Sequence, residues 1–224
     1  MKELPNRIDP ILRREQPKDY RIVEDLTREA FWNHHVPGCD EHYLLHIMRS
    51  ADSFIKELDM VAEVDGKIVG NIVYTKATII DDKDEPHEVI SFGPLSVLPE
   101  FQGMCIGGAL IESTKIMAKE LGYKAILIYG DPLYYGRFGF VAAETFKIGT
   151  ADNMYAPPLQ ALELVPNALL NIEGRFFEDA VYNVDDMASK EFDRGFPQKE
   201  LRDDLPSQIR FRHLVSIRKP RKGT

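Results

Sequence analysis

The chain has only two cysteines in 224 residues, Cys39 and Cys105. That is too few for a disulfide framework, and it suits a reducing compartment, the cytoplasm. No apolar run approaches the roughly 18–20 residues that a membrane-spanning helix needs. The opening MKELPNRIDP lacks the apolar stretch of a secretory signal, so neither export nor a membrane partner is expected. The 15 glycines and 14 prolines follow no period, which excludes a collagen-like or low-complexity chain. An excess of positive charge is also missing. There are 28 basic against 36 acidic residues, a net charge of −8, so no nucleic-acid partner is expected, since neutralising phosphates takes a basic face.

What is present is the 44% hydrophobic and 29% charged balance of a globular protein. Charge is uneven along it. Ser207 to Thr224 holds six basic and no acidic residues, leaving 22 basic against 36 acidic residues in the rest. Such a tail reads as a solvated or docked end.

Periodicity predicts a strand over Ile11 to Arg14, then a helix opened by Pro17 with Ile22, Val23, Leu26 and Ala30 on one face. A second helix runs from Glu41 to Arg49. Strands follow over Met60 to Val64 and Ile68 to Ile80, joined by Asp65-Gly66, a two-residue hairpin signal. After an acidic turn over 81–86, read as an exposed hairpin tip, a further strand covers Val89 to Leu98 and completes an antiparallel meander. The pattern then changes to a loop, a helix from Ile106 to Leu121 with Ile106, Leu110, Met117 and Leu121 as its stripe, and a strand from Lys124 to Tyr129. Strand, helix and strand in this order imply a parallel pair with a right-handed crossover. A short helix from Pro132 and a strand from Phe140 to Ile148 close the unit. The fold class is mixed α/β, of an α+β kind. Beyond residue 150, Met154 to Pro158 reads as loop, Leu159 to Val165 and Gly174 to Glu178 as strand, and Val184 to Phe192 as helix, without a topology. This divides the chain into a domain over 10–150 and a C-terminal extension over 151–224 carrying the basic tail 207–224.

The stretch from Leu95 to Leu110 joins a strand to a helix through a glycine-containing loop. At such a junction the first helical amides have no internal partner, and the helix dipole adds positive potential. It is therefore a natural anion site, where Gly107 and Gly108 leave room beside the backbone. It is neither a P-loop nor a dinucleotide fingerprint, because Gly-Lys-Ser/Thr and Gly-x-Gly-x-x-Gly are both missing.

Leu95-Ser96-Val97, Pro99 and Gln102-Gly103-Met104-Cys105-Ile106-Gly107 resemble the acetyl-CoA signature of the GNAT (GCN5-related) N-acetyltransferases, Gln/Arg-x-x-Gly-x-Gly/Ala after a strand. Tyr134-Tyr135-Gly-Arg-Phe-Gly139-Phe140 resembles the family's Tyr-x-x-x-Gly-Phe. Asp131-Pro132 and Ala161 to Val165 point to the bacterial YhbS-like branch. The likeness covers residues 10 to 150 well and extends loosely to about 185. Cys105 replaces the signature's first glycine. At positive φ it would cost roughly 1–2 kcal/mol, so ordinary helical angles are expected there.

The resemblance implies a GNAT fold with a central mixed sheet and acetyl-CoA as cosubstrate, with no metal. Backbone groups of Leu95, Ser96 and Val97 would pair with the pantetheine arm. Gln102 would belong to the cofactor site, and the amides of Gly103, Met104, Cys105, Ile106, Gly107 and Gly108 would hold the pyrophosphate. Tyr135 would be the general acid at the thiol. A thiol near 8.5 lies within about two units of a tyrosine near 10, so such a proton transfer is only mildly uphill. The general base stays open. The family's strand position falls near Ser91 and Gly93, Ser91 is no base by itself, and His87, Glu88 or Glu63 through water are the candidates. His34, His35, Cys39, His42 and His46 form a dense cluster that reads as a metal site, an acceptor-pocket lining or plain surface. Phe31 and Trp32 beside it read as core. The expected activity is direct acetyl transfer to the amine of a small molecule. A protein amine, or a non-catalytic acyl-CoA sensor, is the alternative, and a homodimer is left open.

Overall fold

The two longest runs rich in β-branched residues pair with each other and form the spine of the structure, a computed structural model that describes residues 8–221. The segment read as lacking an export signal lies largely outside the described residues, as does Lys222. The elements in chain order are β1 (Ile11–Arg14), α1 (Tyr20–Phe31), α2 (Glu41–Met48), β2 (Met60–Val64), β3 (Lys67–Asp81), β4 (Pro86–Val97), α3 (Ile106–Glu120) and β5 (Ala125–Tyr129). They continue with α4 (Pro132–Tyr135), β6 (Val141–Ala142), β7 (Ile148–Gly149), β8 (Met154–Tyr155), β9 (Leu159–Glu163), β10 (Gly174–Phe177), α5 (Asp186–Asp193), α6 (Pro206–Ser216) and β11 (Lys219–Pro220).

The main sheet runs β1-β2-β3-β4-β5-β9-β6, with β10 paired to β3 and to β7. Strands β1 to β4 are the expected antiparallel meander. Its first hairpin turns at Asp65 and Gly66, both at positive φ (49° and 75°), as a turn matching the strand twist requires. Strand β4 then pairs parallel with β5 after the α3 crossover. The sheet is thus mixed, as expected. It also runs on past residue 150, because β9 inserts between β5 and β6.

Packing falls into two cores. One joins α1, α2 and α3 to the sheet through Val23, Leu45, Met48, Ile72, Tyr74, Ile90, Leu110 and Ile126. The other is lined by Ala77, Ile79, Val89, Leu127, Leu159, Ala161 and Phe176, where β10 curls over the far half of the sheet.

Several expectations shift at the edges. The strand expected over 140–148 is broken by a 3₁₀ turn at Ala143–Phe146 and by Lys147 at φ 56°, leaving only β6 and β7. Residues 154–158 include a two-residue strand, β8, paired with β11. On α3 the buried row is Ile106, Leu110, Ile111, Thr114 and Ala118, and Leu121 lies exposed beyond the helix end. Ile22 likewise points to solvent. The basic tail forms α6 and docks by ion pairs, Arg210 to Asp131, Arg218 to Asp152 and the buried Arg221 to Asp82. The acidic turn is therefore partly occupied, since Asp82 carries Arg221 and Asp81 accepts from the amides of Lys83 and Glu85.

Behind α2 lies a charged cluster with little solvent. Arg49 spans Glu15 (2.7 Å) and Glu24 (2.8 Å), and Asp59 accepts from Asn71 (3.3 Å). Burial, then the hydrogen bond with Glu15, pushes the Asp59 carboxyl far above the ordinary carboxylate range. The folded state therefore holds a proton that the unfolded chain has released above about pH 4. With the folded pKa raised, stability falls as pH climbs from there through neutrality, by up to ~1.4 kcal/mol per pH unit. Asp59→Asn should flatten that decline and leave the variant more stable than the parent under mildly alkaline conditions. Urea unfolding at acidic and alkaline pH checks this, and an unchanged pH dependence would refute it.

Candidate active site

Strands β4 and β5 meet at one point, Ile90 opposite Ile126, and part beyond it. The cause is written into β4. Opposite Val73 it carries two residues, Gly93 and Pro94, where the β3–β4 register shifts. A two-for-one bulge bends its strand, and a proline there has no amide to donate. Past that point β4 and β5 diverge, leaving the β5-facing edge of Leu95, Ser96 and Val97 without a strand partner. Leu95 and Val97 turn their side chains toward the first turn of α3. Ser96 turns the other way and donates to the Thr27 hydroxyl (3.0 Å) on α1.

The loop after β4 is tied down by Gln102, whose amide donates to the Val97 carbonyl (3.1 Å). Gly103 turns at φ 76°, and Met104 accepts from the Ile8 amide (3.3 Å). Among the described residues, none of the amides from Gly103 to Gly108 has an acceptor. The first paired donor is Ala109, on the Cys105 carbonyl (3.0 Å). Six amides at and just before the start of α3 are thus unengaged, as an anion site there would require. Ile106 itself is core, 1% exposed.

Cys105 corrects the sequence reading. It sits at φ 67°, ψ 6°, left-handed and exposed, directly before α3. The loop geometry that suits glycine in the signature is kept, and the cysteine bears a strain of roughly 1–2 kcal/mol.

The second motif lies across this turn. A side chain at Gly107 would start 2.6 Å from the Tyr134 hydroxyl, and one at Gly108 would start 3.1 Å from the Phe138 ring. The two glycines therefore give their side-chain space to these aromatic rings. Tyr135 lies where β4 and β5 diverge. Its ring rests on Gly130, with Phe92 (5.7 Å) and Phe140 (5.8 Å) beside it. Burial raises its hydroxyl above the ordinary tyrosine value, so it stays protonated. Asp131 caps the turn carrying both tyrosines by accepting from the Leu133 amide (2.9 Å), and Arg210 of α6 holds that carboxylate.

The base candidates from the sequence are dispersed. His87 pairs with Asp81 (3.0 Å) at the hairpin tip, Glu88 with Lys76 (3.5 Å) on the surface, and Glu63 with Arg13 (2.8 Å). Ser91 does face the sheet interior at the bulge, its hydroxyl buried without a hydrogen-bond partner. Sequence reasoning missed Glu178, a half-buried carboxylate just past β10 that burial pushes up to about 7. The histidines do not converge either. His42 lies 3.6 Å from Cys39 and 3.1 Å from Asp193, with burial holding it neutral, while His46 meets Glu24 and His35 meets Glu41. Among the described residues no group of three or more metal-ligating side chains comes together. The C-terminal segment covers this region, with Trp32 and Asn33 both donating to the Glu200 carbonyl (2.9 Å).

No protein-family model matches the chain. Its fold is similar to that of the GNAT family N-acetyltransferase YhbS of Escherichia coli, solved in complex with CoA, at TM-score 0.68 and 22% identity over 82% of this chain and 96% of that one. A GNAT family acetyltransferase from Brucella melitensis, solved in complex with acetyl-CoA, aligns at TM-score 0.63 and 26% identity over 78% and 98%. In sequence, the uncharacterized N-acetyltransferase YjhQ of Escherichia coli K12 is 39% identical over 131 residues, 51% of this chain and 72% of YjhQ. The chain belongs to the GNAT N-acetyltransferases. YhbS of the same strain, 29% identical over 134 residues, covers 59% of this GNAT chain and 74% of its own length. The match to YjhQ leaves about half of this acetyltransferase unaligned. No helix among its described residues is long and apolar enough to cross a membrane.

Proposed function

We propose that this enzyme binds acetyl-CoA in the β4–β5 cleft and passes the acetyl group directly to the amine of a small molecule. The observation that carries the reading is the parting of two parallel strands beside six unengaged amides at the start of α3. An extended pantetheine arm can pair with the free edge at Leu95, Ser96 and Val97. The pyrophosphate can take the amides of Gly103 to Gly108. Tyr135 protonates the leaving thiolate. The acidic body of the protein favours a cationic amine as acceptor. The two free cysteines support a reducing compartment, the cytoplasm. The acetyl-CoA complex of the Brucella melitensis relative supports the same cosubstrate.

Cys105 reports on this assignment. It is exposed in the loop that would hold the pyrophosphate, whereas Cys39 is partly covered and its thiol is held neutral by burial. Saturating acetyl-CoA should slow alkylation of Cys105 strongly and leave Cys39 unchanged, as read by mass spectrometry of labelled peptides. Equal rapid labelling of Cys105 with and without acetyl-CoA would remove the pyrophosphate from this loop. Thiol release from acetyl-CoA with a panel of amines tests the transfer itself.

A further inference from the structure

The far half of the sheet ends in an unusual row. Ala77 and Ile79 of β3, Val89 of β4, Leu127 of β5 and Phe176 of β10 fill the second core. Side chains alternate along strands, so the next position of each row, at Thr75, Ser91, Tyr129 and Glu178, closes that core at one end. Thr75 and Ser91 are wholly buried. The Thr75 hydroxyl donates to the Tyr182 hydroxyl (3.5 Å), which donates to the Gly93 carbonyl in the β4 bulge (3.3 Å). The buried Ser91 hydroxyl lies beside the same tyrosine. Tyr129 packs on Phe176 (6.0 Å). Glu178 follows β10 directly, between Phe176, whose ring meets Tyr129, and the turn that carries Tyr182, and among the described residues its carboxylate has no hydrogen bond or ion pair.

This row and Tyr135 lie on opposite faces of the cleft. Tyr135 covers the open side of Gly130, and its chain neighbour Tyr129 points the other way, toward Phe176. An acyl group threaded between β4 and β5 would present its sulfur to Tyr135 on one face and its carbonyl carbon to the Glu178 side on the other. We propose that Glu178 is the general base, taking a proton from an acceptor ammonium held between Tyr129 and Tyr182. This rests on the acetyltransferase reading above.

The chemistry balances. An ammonium gives one proton to the Glu178 carboxylate, which later passes it to solvent. The free amine attacks the thioester carbon, the new C–N bond forms and the C–S bond breaks. The thiolate takes the Tyr135 proton, and the second proton shed by the nitrogen restores Tyr135. Products are the amide, CoA thiol and one proton. The groups around Glu178 suit a base. Two aromatic rings stabilise a cation, and a carboxyl pushed up to about 7 accepts a proton near neutrality. The other charges nearby are Asp179, which caps the Val181 amide, and the Arg218–Asp152 pair beyond Tyr129.

The test compares the native chain with Glu178→Gln, which keeps shape and removes the base, by two readouts. In protein labelled with 13C-glutamate and saturated with acetyl-CoA, one carboxyl resonance absent from the variant should titrate near neutrality. Titration near the ordinary value of about 4.3 overturns the proposal, whatever the acceptor. With tyramine as probe amine, thiol release by the variant should be at least about tenfold slower at neutral pH. The gap should close as pH approaches the pKa of the amine, where the amine sheds its own proton. Equal rates at neutral pH also overturn it. Failure of the native chain to bind acetyl-CoA in calorimetry would instead sink the acetyltransferase reading, and that measurement does not involve residue 178.

Discussion

Replacing Tyr135 by phenylalanine is expected to lower turnover by about 10²–10⁴-fold with little change in acetyl-CoA affinity. The substitution removes one oxygen and keeps the ring on Gly130 between Phe92 and Phe140, so the cleft keeps its shape. Without a donor, the leaving group must depart as a thiolate in apolar surroundings. Burial raises the Tyr135 hydroxyl, which by itself would make it a reluctant acid. The same surroundings disfavour a thiolate, so donor and acceptor rise together and the transfer stays nearly matched. A turnover measurement under conditions where chemistry limits decides the matter. A phenylalanine variant that keeps more than half the rate would reduce Tyr135 to a packing residue.

The second large effect is expected at Gly107. In Gly107→Val the new side chain would begin 2.6 Å from the Tyr134 hydroxyl and 3.6 Å from Val97. Tyr134 must swing off the helix, and the added methyls fill the space beside the unengaged amides. Acetyl-CoA affinity should fall by at least about tenfold, ~1.4 kcal/mol. Circular dichroism and thermal melting establish that the variant is folded. Unchanged affinity by calorimetry in a folded variant would show that phosphate does not approach this turn.

Around the candidate site, the local structure was legible where it follows from continuous pattern. Gln102 to Gly108 is a continuous segment, and its junction of strand, loop and helix follows from local periodicity. Asp65-Gly66 marked its hairpin for the same reason. Cys105 went the other way, because the surrounding loop holds a left-handed angle that the residue alone disfavours. Glu178 carried no local signal. Its place on the Phe176 side of the sheet follows only from the pairing of Phe177 with Thr78, a register between segments almost a hundred residues apart. Alternation in Ile172, Gly174 and Phe176 would have put Glu178 in the inward row, had the strand been paired to β3. Helix α6 was hidden by its arginines, whose partners Asp131, Asp203 and Asp204 are visible only in three dimensions.

The ion pair between Arg210 and Asp131 has a consequence for the order of events during synthesis. Asp131 is made before its partner by 79 residues, and Asp82 waits 139 residues for Arg221. The nascent chain can complete its meander, α3 and β5 from contacts already translated. The turn bearing Tyr134 and Tyr135 is then capped but not yet braced. Its outer clamp arrives with the final stretch of polypeptide, because long-range contacts of this kind must wait for the chain that carries them. A ribosome-bound chain stalled ahead of α6 would hold the turn bearing Tyr134 and Tyr135 without its brace.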